Sequence, residues 1–128
     1  MFHILVVDDD KNIRKLFQAI LESEHYTVFT ANNGDEALSV MEKEHIDLVV
    51  LDIMMPKVDG LMVLKLIREL EAQHKLSSEQ QAKIIMMTAI ADMEYVDQAF
   101  ELGCDAYASK PIEIAQVQEV MQDLGLIS

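Results

Sequence analysis

Apolar residues in this chain fall into two kinds of pattern. Some form short unbroken runs, such as Ile4 to Val7 and Leu48 to Leu51; others recur at spacings of three and four. The run from Leu48 to Leu51 leads straight into Asp52 and is bounded by turn signals at Pro56 and Gly60. A short, β-branched-rich run of this kind reads as a strand buried on both faces, the habit of parallel sheets. Phe2 to Val7, Tyr26 to Ala31, Lys83 to Thr88 and Ala106 to Ser109 are the other predicted strands.

The helical spacings lie between them. Ile13, Leu16, Phe17, Ile20 and Leu21 form one apolar face, with Asn12 as a possible cap. A second helix is predicted from Asp35 to about Glu44, with Ala37, Leu38 and Met41 inward, after an Asn32-Asn33-Gly34 turn. A third runs from Gly60 to about Ala72 on a stripe of Val63, Leu66, Ile67 and Leu70. The fourth spans Tyr95 to Leu102, with Val96, Ala99 and Phe100 inward and Gly103 as its stop. Ile114, Val117, Met121 and Leu124 stripe the last helix. Gln73 to Gln81 is polar and fits either a longer third helix or an exposed loop.

Strands and helices therefore alternate without a repeat or linker. Alternation implies an α/β fold, with right-handed crossovers and helices on both faces of a doubly wound parallel sheet. For five strands the expected order is 2-1-3-4-5, the flavodoxin-like arrangement. That order sets the carboxyl ends of strands 1, 3, 4 and 5 side by side, and open α/β sheets bind their ligands at such ends. The groups brought there are Asp8 and Asp9, Asp52, Thr88 and Lys110.

Composition narrows the choice. A length of 128 residues suits one domain, 1–128, and 51% hydrophobic residues allow a real core. Ten basic against 23 acidic residues give a net charge of −13. That charge disfavours direct nucleic-acid or anionic-membrane binding and suits a protein that holds a cation or meets a basic partner. The single Cys104 excludes an internal disulfide, no apolar run is long enough to span a membrane, and a cytoplasmic location is the simplest expectation.

Three carboxylates in one crevice repel each other, and a divalent cation relieves this. An all-oxygen donor set of Asp8, Asp9 and Asp52 favours Mg²⁺, and no Cys or His in these loops argues for zinc. Thr88 adds a hydroxyl and Lys110 a fixed charge. A hydroxyl, an ammonium and a cation converging on one carboxylate suit phosphoryl transfer, which depends on positioning and neutralisation. Asp52 is the expected nucleophile, forming an acyl phosphate. Taken singly, each residue also fits a solvated turn or a helix cap.

Across nearly its whole length the sequence resembles the receiver domains of two-component response regulators. The resemblance rests on Leu-Val-Val-Asp-Asp-Asp, on Leu-Asp-Ile-Met-Met-Pro-Lys-Val-Asp-Gly, on Met-Thr-Ala and on Ala-Tyr-Ala-Ser-Lys-Pro. It implies that Asp52 is the phospho-acceptor and that Asp8 and Asp9 hold Mg²⁺ with it, helped by the Met54 backbone carbonyl. It also implies that Thr88 and Lys110 hold the phosphoryl oxygens, that Tyr107 is a switch aromatic and that the Lys110–Pro111 peptide is cis. The implied donor is a phosphohistidine on a sensor histidine kinase or phosphotransfer protein. The implied output is a protein target read through the fourth helix, fifth strand and fifth helix, by a monomer or a phosphorylation-dependent dimer. Such a regulator catalyses only its own phosphorylation and dephosphorylation. Gln73 to Gln81 departs from the family by its length.

Other classes fit less well. An Asp-nucleophile phosphatase needs an acid two residues after Asp52, where Met54 stands. A flavin carrier would meet repulsion between Asp8-Asp9-Asp10 and the flavin phosphate. A non-phosphorylated binding module remains the plain alternative. Met54 and Ile90 flank the expected path of a hydrolytic water and offer it no strong hydrogen-bond partner, so a long-lived acyl phosphate is expected.

Overall fold

A computed structural model describes residues 2–55, 58–110 and 113–126. Five strands, β1 (His3–Val7), β2 (Thr27–Ala31), β3 (Leu48–Asp52), β4 (Lys83–Thr88) and β5 (Ala106–Ser109), form one parallel sheet. Its order is 2-1-3-4-5, as the alternation predicts. The helices are α1 (Lys11–Ser23), α2 (Gly34–Lys43), α3 (Gly60–Gln73), α4 (Val96–Leu102) and α5 (Ile114–Asp123). A 3₁₀ segment, Ile90–Tyr95, precedes α4, so the fourth helix starts one residue later than expected.

The unbroken apolar runs follow from burial on both faces, because successive strand side chains point to opposite sides. Ile4, Val6, Leu48, Val50, Ile85 and Met87 meet α1 and α5 through Phe17, Leu21, Val117 and Met121. Leu5, Val7, Val49, Leu51, Ile84 and Met86 meet α2, α3 and α4 through Ala37, Val63, Leu64, Ile67 and Ala99. Every residue of β3 is buried, Asp52 included. Cys104 packs in the second of these cores, and burial pushes its thiol up to about 11, so it stays protonated.

Several sequence expectations need correction. Asp10, not Asn12, caps α1, accepting the Asn12 and Ile13 amides on its side chain. Leu16, Leu66 and Phe100 are 55%, 37% and 44% exposed rather than inward. Of the two readings of the polar stretch, the exposed loop holds: the third helix stops at Gln73, close to its expected end, and a turn follows with Lys75 in the left-handed region at φ 56°. Gln80 and Gln81 both donate their backbone amides to the Ser77 carbonyl there. The turn therefore closes on itself, and α3 cannot continue through it.

Glu71 is buried and carries the role that Leu70 was expected to play on α3. Its Oε1 accepts from Arg68 Nη1 at 2.7 Å, and its Oε2 accepts from the Ala82 amide at 2.7 Å. The Arg68 guanidinium also donates to the carbonyls of Gly103 and Ala82 and to Asp105 Oδ2. One fork thus joins α3 to the start of β4 and the end of α4. Gly103, at φ 108°, supplies the left-handed residue that ends α4.

Candidate functional site

The carboxyl ends of β1, β3, β4 and β5 form the crevice that the strand order requires. Asp8 and Asp52 are buried, Thr88 is fully buried and Asp9 is exposed. Carboxylate oxygens of Asp8, Asp9 and Asp52 lie within 4.8 Å of one another. The ladder continues past the strands to set the site's roots. The Ile53 amide donates to the Met87 carbonyl at 2.9 Å, and the Lys110 amide to the Thr88 carbonyl at 2.7 Å.

The second of these bonds delivers Lys110 across β4. Its Nζ donates to Asp52 Oδ2 at 2.6 Å. Gly60 lets α3 begin directly against the end of β3: a Cβ there would stand 2.1 Å from the Asp52 carbonyl oxygen. Only glycine admits such a backbone approach.

Asp8 is the electrostatic centre of the crevice. Burial pushes its carboxyl up from 3.8 to about 6. A hydrogen bond from the Asp10 amide opposes that rise, the charges of Asp52 and Asp9 add to it, and Lys110 counters it. Its Oδ1 accepts from the Asp10 amide at 2.9 Å, whereas its buried Oδ2 has no partner among the described residues. Such an atom is costly unless something satisfies it. A hard cation would do so, and the three converging carboxylates suit Mg²⁺ in charge and in donor type.

Thr88 is the last residue of β4, and its hydroxyl donates to the Ala89 carbonyl at 3.0 Å. Tyr107 is not part of the crevice. Its ring is 42% exposed on the edge strand and meets Phe100 edge-on, at 6.3 Å between centroids and 87° between planes. Met54 lies in a two-residue strand, Met54–Met55, paired antiparallel with Val58–Asp59. The Met54 and Ile90 side chains and the Lys110–Pro111 peptide fall outside the described residues, so the expectations resting on them concern undescribed parts of the chain. Arg14, which no sequence pattern singled out, donates to the Asp8 carbonyl at 2.7 Å.

A family profile described as "Response regulator receiver domain" matches residues 4–122. A "Probable transcriptional regulator ycf27" of Cyanidium caldarium is 40% identical over 122 residues, covering 95% of this chain and 45% of the relative. "Transcriptional regulatory protein ResD" of Bacillus subtilis (strain 168) is 41% identical over 114 residues, covering 89% of this chain and 44% of the relative. The chain thus spans about half the length of the curated relatives it matches. Among solved structures, a CheY-like receiver domain protein from Methanospirillum hungatei JF-1 superposes with a TM-score of 0.82 at 31% identity. That match covers 96% of this chain and 92% of the other. The receiver domain of the TMAO respiratory system regulator TorR gives a TM-score of 0.82 at 28% identity, covering 97% and 96%. With that profile over most of its length, and with the fold and acidic crevice described above, this chain belongs to the response regulator receiver domain family.

Proposed function

We propose that the chain is a phosphorylation switch whose acceptor is Asp52. One observation carries the reading: Lys110 Nζ sits 2.6 Å from Asp52 Oδ2, in a crevice where buried Asp8 Oδ2 has no partner among the described residues. An ammonium on the acceptor and an unsatisfied carboxylate beside it are what a transferred phosphoryl group and its counter-cation would use.

Asp8, Asp9 and Asp52 would hold Mg²⁺, with the Met54 carbonyl as a further ligand. When bound, Mg²⁺ supplies charge neutralisation to phosphoryl oxygens. In the transfer an Asp52 carboxylate oxygen forms a bond to phosphorus as the P–N bond of a phosphohistidine breaks. The electron pair of that bond leaves with the imidazole, which then takes up a proton. Lys110 holds one peripheral oxygen throughout. The Thr88 hydroxyl holds another once it turns from the Ala89 carbonyl. In hydrolysis a water oxygen forms a bond to phosphorus as the bond from phosphorus to the Asp52 oxygen breaks, which restores the carboxylate and releases inorganic phosphate. The chain's own chemistry ends there; it turns over no external metabolite.

The donor in this reading is a sensor histidine kinase or a phosphotransfer protein. The output is a protein contact at α4, β5 and α5, where Tyr107 and Phe100 are exposed, made by a monomer or by a dimer formed on phosphorylation. The names of the relatives point to transcriptional control as the process served. A net charge of −13 argues that this domain does not itself grip DNA.

Phosphoramidate, a small donor with the same P–N bond, tests the acceptor. With Mg²⁺, ³¹P NMR should show one protein acyl phosphate, lost in Asp52→Asn. The same signal in Asp52→Asn would overturn the assignment.

A further inference from the structure

The contact left over from this account is that of Arg14. This half-buried residue donates through Nη1 to the Asp8 carbonyl at 2.7 Å and to Asn32 Oδ1 at 3.2 Å. Asn32 is fixed in its turn, since its amide donates to Glu36 Oε1 at 2.6 Å in the first turn of α2. The Asp8 amide donates to the Ala31 carbonyl at 3.2 Å, at the end of β2. Both backbone polar groups of Asp8 are therefore tied toward the β2–α2 junction. The Asp10 amide holds Oδ1. Among the described residues Oδ2 has no partner, and the bonds around Asp8 restrict where its side chain points.

We propose that Arg14 is a positioning residue for the cation site. It holds the Asp8 peptide so that the carboxylate stays directed at the space shared with Asp9 and Asp52. The inference rests on the reading of Asp8 as a cation ligand. It gives Arg14 no contact with phosphate and no part in the transfer. Groups that orient a metal ligand from behind commonly change affinity by about 10- to 100-fold when removed.

Charge alone makes the opposite forecast. A guanidinium near an acidic site opposes a cation, so deleting it would tighten binding. The sign of the effect therefore separates positioning from electrostatics.

The experiment is calorimetric titration of the full chain with Mg²⁺ at fixed salt. Arg14→Met, similar in length but without a donor, should bind about tenfold more weakly. Asn32→Ala, at an exposed position, should weaken binding in the same direction by a smaller factor. In an Asp8→Asn background, adding Arg14→Met should change nothing further, whereas a general loss of fold would still lower affinity. Equal or tighter binding by Arg14→Met overturns the inference, as does a full tenfold loss in the Asp8→Asn background. If Arg14→Met does not fold, Asn32→Ala decides, and unchanged affinity there overturns it. A wild-type chain that takes up no Mg²⁺ would remove the cation-site reading itself, a result distinguishable from all of these.

Discussion

Lys110 Nζ reaches Asp52 Oδ2 at 2.6 Å although the two residues lie at the ends of strands that are not neighbours. β4 lies between them, and the lysine stem crosses its carboxyl end. A cation so placed can follow charge as it moves from carboxylate to phosphoryl oxygen. Lys110→Met should therefore keep the fold and slow phosphorylation by small donors about a hundredfold, the usual scale for losing one preorganised charge-stabilising group. Rates from stopped-time intact mass check this; a change under threefold would remove Lys110 from the chemistry.

The pH behaviour of the cation-free chain should report Asp8. Its folded carboxyl lies at about 6 against 3.8 for an ordinary one, chiefly through burial. The protonated form thus favours folding. That contribution is fully present below 3.8 and is lost as pH rises through about 6. Across the window the loss is at most about 3 kcal/mol. In EDTA, Asp8→Asn should be more stable than wild type at neutral pH, and the difference should vanish in acid. Urea denaturation of both chains across this range measures it. A difference independent of pH would exclude Asp8 as the source.

Much of this site was legible because it sits at strand ends, and the strands announce themselves as unbroken apolar runs. With the order 2-1-3-4-5 expected for five alternating strands, the ends that carry Asp52 and Lys110 fall on the same side of the sheet with only β4 between them. The helix faces were less legible. Leu16, Leu66 and Phe100 obey the spacing of a buried stripe yet face solvent, since a periodic pattern gives a face but not its width. Glu71 failed the other way. It lies four residues after Ile67, on the buried stripe, but a carboxylate reads as surface unless its partner is known. That partner, Arg68, is a neighbour on the same helix and gave no sign of turning inward. Arg14 was invisible for the same reason: its targets are a backbone carbonyl and an amide oxygen brought near only by the fold.

The Arg68–Glu71 pair gives a test of the fold apart from the site. Glu71 is buried, so Arg68→Ala leaves an uncompensated carboxylate and frees the Gly103 and Ala82 carbonyls. A loss of about 3 to 5 kcal/mol is expected, seen as a lower denaturation midpoint at unchanged slope. Below that midpoint, Mg²⁺-dependent phosphorylation should be nearly intact. A loss below about 1 kcal/mol would mean the pair is no more than a surface contact.

Switching should appear at Thr88 and Tyr107. In this structure the Thr88 hydroxyl is on the Ala89 carbonyl and the Tyr107 ring rests against Phe100. A phosphoryl mimic such as beryllofluoride with Mg²⁺ should draw the hydroxyl away and let Tyr107 turn inward, a shift between two populations. Amide resonances from Tyr95 to Tyr107 should move in wild type and stay nearly fixed in Thr88→Ala. Unmoved wild-type resonances with the mimic bound would contradict the coupling.

The central claim is that Asp52 accepts the phosphoryl group with the help of a cation held beside it. Intact mass after incubation with acetyl phosphate tests it most directly. Wild type with Mg²⁺ should gain one phosphoryl group, wild type in EDTA almost none, and Asp52→Asn none under either condition. Phosphorylation of Asp52→Asn to the wild-type extent, or equal modification with and without Mg²⁺, would contradict the account.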